Sequence, residues 1–271
     1  MTLIFATVYG RGVVVFADSR AAGPDVAYEE RKIYPVYLVK EGEEVDLAVA
    51  AGAGDAALVK QGFERIESAF KGFYEKEGRC PTDAEVQKIV NRLQRDFVNF
   101  YSYLRARGIG TDVLHILATV SLEGKPYLYL IRPDGVFEPR HSSPGYAVIG
   151  IAEQSAQVLL KMLGWTPEAE WGAEMLAAFV IDTIAEVVPT VSPLASFQDT
   201  MYIWHDGRKV VMGPLREDVF KTVKGKAARR RAGMVKLGPN ATNPSWKAGI
   251  LSTPHAAAMK PSRASRPRRK E

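Results

Sequence analysis

The chain has 271 residues, 46% hydrophobic and 25% charged, with a single cysteine. That length and balance suit one sizeable core and exclude a collagen-like or wholly disordered chain. The lone Cys80 excludes an internal disulfide framework and any CxxC zinc or redox pair, and reads as a passive thiol near a loop.

No apolar run reaches about 18 residues, so no membrane-spanning helix is expected. The amino-terminal stretch has no basic region before its apolar residues and no small-residue cleavage site after them, so a cytoplasmic location is expected. The net charge of +5 is unevenly spread. Residues 1–220 carry 22 Lys and Arg against 30 Asp and Glu, whereas residues 221–271 carry 14 against Glu271 alone. We expect an acidic domain over 1–220 and a basic tail over 221–271. Lys221 to Arg231 reads as a short helical extension at most. Beyond it Pro239, Pro244, Pro254, Pro261 and Pro267 recur without period, the pattern of a segment too polar to offset its chain entropy.

In chain order, Leu3–Val8 and Val13–Ala17 are nearly continuous apolar runs around a Gly10-Arg11-Gly12 turn, which predicts strands buried on both faces. Lys32–Val39 and Val45–Ala51 predict two more strands. The period then changes. Phe63, Ile66, Phe70 and Phe73 predict an amphipathic helix over 55–74. A second helix follows Pro81, with Thr82 and Glu85 as a capping box and Gly108 as its stop. Strands return at Val113–Val120, Pro126–Ile131 and Tyr146–Ile149, between turn sequences. Helices are predicted over Glu153–Leu163 and from Thr166, with Pro167 at its first position, to Val188. Thr200–Trp204 and Lys209–Met212 close the series as strands. Strands and helices come in blocks rather than alternating singly. That order predicts an α+β fold, a four-layer αββα sandwich of two mainly antiparallel sheets between helix layers.

The sequence lacks HExxH, a phosphate-cradling GxxxxGK[ST] and a GxSxG elbow, and it holds only four histidines. His115, inside an apolar strand, reads as a core histidine. No metal site and no cofactor are expected. Attention therefore turns to Thr2. Removal of Met1 would leave a threonine with a hydroxyl and a free amine on one residue. An α-amine titrates near 8, so it can act as base for its own hydroxyl. Such a nucleophile needs a buried cation to tune it, a carboxylate to hold that cation and backbone N–H groups for the oxyanion. Asp18 and Arg20 after the second strand, Lys32 at the start of the third, and Gly52 at the end of the fourth are the candidates.

Thr2, Gly12-Val13-Val14, Asp18-Ser19-Arg20, Lys32-Ile33 and Ala51-Gly52, in this order, resemble a proteasome β-type subunit. Those subunits are N-terminal-nucleophile hydrolases, with the bacterial relatives HslV and Anbu. Leu128–Ile131 with Pro133-Asp134-Gly135 resembles the family's central hairpin, and Tyr146–Gly150 the segment before its third helix. The resemblance covers about residues 2–215, and the Asp-Ser-Arg wording leans towards Anbu. It implies a threonine-type endopeptidase acting on peptide or unfolded protein in a self-compartmentalised homo-oligomer, a ring or spiral, with an ATP-dependent unfoldase as a potential partner.

By resemblance Thr2 is nucleophile and base, Lys32 tunes it, Asp18 pairs with Lys32, the Gly52 N–H forms the oxyanion hole and Arg20 braces the Asp18 loop. The sequence departs from the family at Ile151, where a serine is usual. It departs again at the Asp-x-x-Ser-Gly support, for which Ser192, Ser196 and Asp199 are the available substitutes. Two other readings stay open. One is a catalytically weak or inactive scaffold or assembly protein. The other is a module binding nucleic acid or an acidic partner through residues 221–271.

Overall fold

The structure is a computed structural model that describes residues 2–18, 20–22, 27–29, 32–164 and 172–237; of residues 20–22, 27–29, 173 and 233–237 it describes the backbone only. The strands are β1 (Leu3–Tyr9), β2 (Gly12–Ala17), β3 (Arg20–Ala22), β4 (Ala27–Glu29), β5 (Ile33–Lys40), β6 (Glu43–Gly54), β7 (Val113–Val120), β8 (Pro126–Ile131), β9 (Phe137–Pro139), β10 (Tyr146–Gly150), β11 (Thr200–His205) and β12 (Val210–Gly213). The helices are α1 (Ala56–Glu77), α2 (Asp83–Ala106), α3 (Glu153–Met162), α4 (Ala173–Val187) and α5 (Glu217–Leu237).

Two antiparallel five-stranded sheets form the centre. One has the order β10-β1-β2-β11-β12 and the other β5-β6-β7-β8-β9; β3 and β4 pair as a separate ribbon. The apolar runs of β1 and β2 are explained by burial on both faces. Leu3, Phe5, Val14 and Phe16 point to a core shared with α3, α4 and α5. Their neighbours Ile4, Ala6, Val13 and Val15 point to a core between the two sheets, with Val49, Ala51, Ile116 and Ala118 from the other side. A third core lies between α1, α2 and the second sheet, around Phe63, Phe70, Phe97 and Tyr101. Three cores separating four layers make the αββα sandwich that the block order predicts.

Local chemistry sets the helix ends. The Asp55 carboxylate accepts the Leu58 N–H at 3.0 Å and starts α1. Gly78, at φ 69°, ends it in the left-handed conformation. Before α2, Glu85 accepts the Thr82 N–H at 2.9 Å and its hydroxyl at 2.7 Å. The Arg79 guanidinium clamps the same carboxylate at 2.7 and 2.9 Å and, with the two Thr82 bonds, holds it down to about 2. Burial pushes the Cys80 thiol up to about 11, which suits an inert thiol.

Two differences from the sequence reading stand out. The short edge strand β9 and the β3–β4 ribbon were not foreseen, since three-residue strands carry no periodic signal. The expected helix start at Thr166 and Pro167 lies outside the described residues. The expected boundary at residue 220 falls inside α5, which continues to Leu237. Helix α5 is not a solvated extension: Phe220, Val223 and Ala227 are buried in the core beneath α4. Its basic residues also serve that docking. Lys224 bonds both oxygens of buried Asp182 at 3.0 and 2.8 Å, and Arg231 reaches Glu186 at 2.9 Å. The remainder of the expected tail, residues 238–271, lies outside the described residues.

Among the described residues no helix is long and apolar enough to cross a membrane.

Candidate active site

The head of β1 fixes the site. Leu3 pairs with Gly150 of β10 on one side, and Ile4 pairs with Ala17 of β2 on the other. One residue beyond β2, Asp18 extends the ladder in two ways. Its N–H donates to the Leu3 carbonyl at 3.0 Å, and its Oδ1 accepts the Leu3 N–H at 2.7 Å. The carboxylate is thus anchored to the residue that follows Thr2.

Lys32 arrives from the other sheet, just before β5. Its Nζ donates to the same Asp18 Oδ1 at 2.7 Å, with both side chains buried. The other oxygen, Oδ2, accepts the Ser192 N–H at 3.4 Å from the segment that precedes β11. A buried carboxylate is tolerated only with such partners. The pair therefore ties the end of β2, the start of β5 and the start of β1 into one point between the sheets.

Thr2, half-buried, precedes Leu3 in the chain. Its carbonyl accepts the Ile151 N–H at 3.0 Å. The same carbonyl lies against Gly150, whose φ is +111° and where a Cβ would stand 1.8 Å from the Thr2 oxygen. No other residue type fits there. The structure therefore brings Asp18 and Lys32 together at the residue that follows Thr2, and holds Thr2 itself through Gly150 and the Ile151 N–H. Ile151 contributes its backbone N–H to the site, and the residue is 58% exposed.

Gly52 is adjacent to Lys32, but its N–H already donates to the Lys32 carbonyl at 3.2 Å. A Cβ at Gly52 would meet Val59 of α1 at 2.5 Å, so close helix packing requires it.

Of the three supporting candidates, Ser192 reaches Asp18 through its N–H. Ser196 and Asp199 instead build the turn before β11: Asp199 Oδ2 accepts the Ser196 N–H at 3.0 Å, and Ser196 Oγ accepts the Gln198 N–H at 3.1 Å. The Arg20 backbone pairs with Glu29 in the ribbon, and its side chain lies outside the described residues. Among the described residues no group of His, Cys, Asp and Glu is arranged to hold a metal ion.

Chemically, the arrangement is a buried ion pair whose carboxylate bonds the residue that follows a threonine at the head of a strand. A cation close to an amine and a hydroxyl makes both lose their protons more readily.

No family model matches the chain, and no curated protein does. Solved structures do. The chain is similar to an Anbu (Gly-1) mutant from Hyphomicrobium sp. strain MC1, with a TM-score of 0.57 and 18% sequence identity over 86% of this chain and 97% of that one. At that identity the likeness speaks for the fold, and the fold is the proteasome-like sandwich of Anbu.

Proposed function

We propose that this chain is a threonine-type amide hydrolase acting on peptide or unfolded protein, with Thr2 as its nucleophile after removal of Met1. The observation that carries the reading is the buried Lys32–Asp18 pair, whose shared oxygen also holds the N–H of Leu3.

In the proposed cycle the α-amine of Thr2 takes the hydroxyl proton as Oγ1 attacks the scissile carbonyl carbon. The tetrahedral intermediate collapses, the C–N bond breaks, and the ammonium returns the proton to the departing amine. Water then attacks the resulting ester, with the amine again as base, and releases the acid product and the free threonine. Lys32 lowers the cost of the neutral amine and of the developing alkoxide through its charge. Asp18 orients Lys32, and the proposed brace for the Asp18 loop is Arg20. Gly52 serves as oxyanion donor by sharing an N–H whose present bond, at 3.2 Å, is at the long end of the normal range. The same reading takes the working form to be a homo-oligomer.

Intact mass and labelling with a threonine-directed electrophile such as a β-lactone test it. We expect a chain that starts at Thr2, one adduct on Thr2, and loss of both adduct and peptide cleavage in Thr2→Ala. Active protein that retains Met1 refutes the proposal.

A second reading, a scaffold that keeps the fold without the chemistry, is favoured by two observations: the engaged Gly52 N–H and the exposed Ile151 in the serine position. A chain that begins at Thr2 and takes no label selects it.

A further inference from the structure

We infer that Lys224 on α5 is a positioning residue for the Thr2 site, acting through Leu194 and Ser192 on Asp18. The inference rests on the function proposed above. Its basis is a continuous run of bonds from the carboxy-terminal helix to the candidate catalytic carboxylate. A lysine ammonium has three protons to donate. Those of Lys224 face Asp182 Oδ1 at 3.0 Å, Asp182 Oδ2 at 2.8 Å and the Leu194 carbonyl at 2.8 Å. Asp182, on α4 and 4% exposed, accepts the Leu194 N–H at 3.0 Å.

The Leu194 residue is therefore gripped at both its N–H and its C=O by one ion pair, of buried Asp182 with half-buried Lys224. Two residues earlier, Ser192 donates its N–H to Asp18 Oδ2. Pro193 lies between them, with its φ fixed by the ring, and it restricts Ser192 as well. Val191 and Leu194 are buried in the same core as Phe5 and Phe16. A short, stiff strap so anchored leaves the Ser192 N–H little freedom to leave Asp18.

Neutralising Lys224 removes the grip on the Leu194 carbonyl and leaves Asp182 with a cation only at 3.9 Å, from Arg231. The strap then loosens at Ser192, and Asp18 holds Lys32 less firmly. Small displacements of this kind slow a reaction that depends on exact positioning.

The test compares Lys224→Met and Lys224→Arg with wild type in the full chain, with Lys221→Met as control. Lys221 sits on the same helix but pairs only with exposed Glu217. Two readouts are taken: the rate of Thr2 labelling by the β-lactone, and amide hydrogen exchange at Ser192 and Leu194. In Lys224→Met we expect labelling to slow about tenfold and exchange at both amides to rise about tenfold. Lys224→Arg, which keeps the charge and several donors, restores both, and Lys221→Met changes neither. If Lys224→Met does not fold, Lys224→Gln replaces it under the same criteria. Labelling at the wild-type rate, or slowed labelling with unchanged Ser192 exchange, overturns the inference and leaves the proposed function standing. A wild-type chain that takes no label at Thr2 overturns the proposed function and this inference with it.

Discussion

Lys32 Nζ and the Leu3 N–H converge on a single oxygen, Asp18 Oδ1, each at 2.7 Å. The relationship couples the candidate tuning cation to the backbone of the nucleophile's strand. Removing either charge leaves the other buried without its counterion. We expect Asp18→Asn and Lys32→Met each to lower unfolding stability by about 3–5 kcal/mol. The double variant should lose clearly less than the sum, because it buries no lone charge. Urea denaturation of the four proteins measures the coupling directly. Additive losses would mean that the pair carries no mutual stabilisation.

Gly150 gives a sharper local test. Its φ of +111° and the approach of the Thr2 carbonyl exclude a side chain. Gly150→Ala must push β10 away from Thr2, so we expect a loss of about 2–4 kcal/mol together with slower Thr2 labelling. Gly72, in the middle of α1 with open space where a Cβ would go, is the contrasting case. Gly72→Ala should raise stability by about 0.5–1 kcal/mol and leave labelling alone. Thermal melts of the two variants should therefore move in opposite directions.

Much of this site was legible in the sequence, for a physical reason. A strand end, a charged pair and a glycine kept in order are local features, and their spacing survives folding. Asp18 and Leu3 meet because β1 and β2 are nearly continuous apolar runs with clear ends, and Lys32 reaches them from the start of β5. The holders of Thr2 were not legible. The Ile151 N–H and the Gly150 approach depend on the antiparallel register of β1 with β10, set by residues more than a hundred positions apart. Lys224 was hidden for another reason. In a basic tail its charge looks solvated. The one available signal was its complement, Asp182 within the apolar run Phe179-Val180-Ile181, a charge that needs a cation once that helix is buried. For Gly52 the sequence pattern pointed to an oxyanion donor, whereas the Lys32 carbonyl that its N–H meets and the packing of Val59 and Phe63 against it come from the tertiary fold.

His115 predicts how stability depends on pH. It is fully buried beneath α1 and α2, with Nε2 3.3 Å from the Val59 carbonyl and Nδ1 3.4 Å from the Tyr101 hydroxyl. Burial lowers its pKa from 6.5 to about 4. Between those values the unfolded chain binds the proton and the folded chain does not, so stability rises with pH in that window. The contribution is complete above about pH 6.5 and is lost as the pH falls towards about 4. Its full size is on the order of 3 kcal/mol. Denaturation midpoints of wild type and His115→Gln, taken from about pH 7 down to about pH 4.5, should converge as the pH drops. Parallel pH profiles would remove His115 as the source.

The last prediction concerns where the folded unit ends. A chain cut after residue 220 keeps Phe220 but loses Val223 and Ala227 from the core under α4, and it leaves Asp182 without Lys224 or Arg231. A chain cut after Leu237 keeps all of these. Stranding a buried carboxylate costs about 3–5 kcal/mol by itself, and two lost apolar side chains add to it. For a domain of this size each kcal/mol corresponds to roughly 2–4 °C, so the shorter chain should melt lower by about 10 °C or more. A further substitution separates the two contributions. Asp182→Leu in the shorter chain removes the stranded charge and should recover part of the loss. In the longer chain the same change should destabilise, because Lys224 and the Leu194 N–H then lose their partner. That reversal of sign requires α5 to dock through its ammonium. Equal melting temperatures for the two truncated chains would show that α5 contributes nothing to the folded unit.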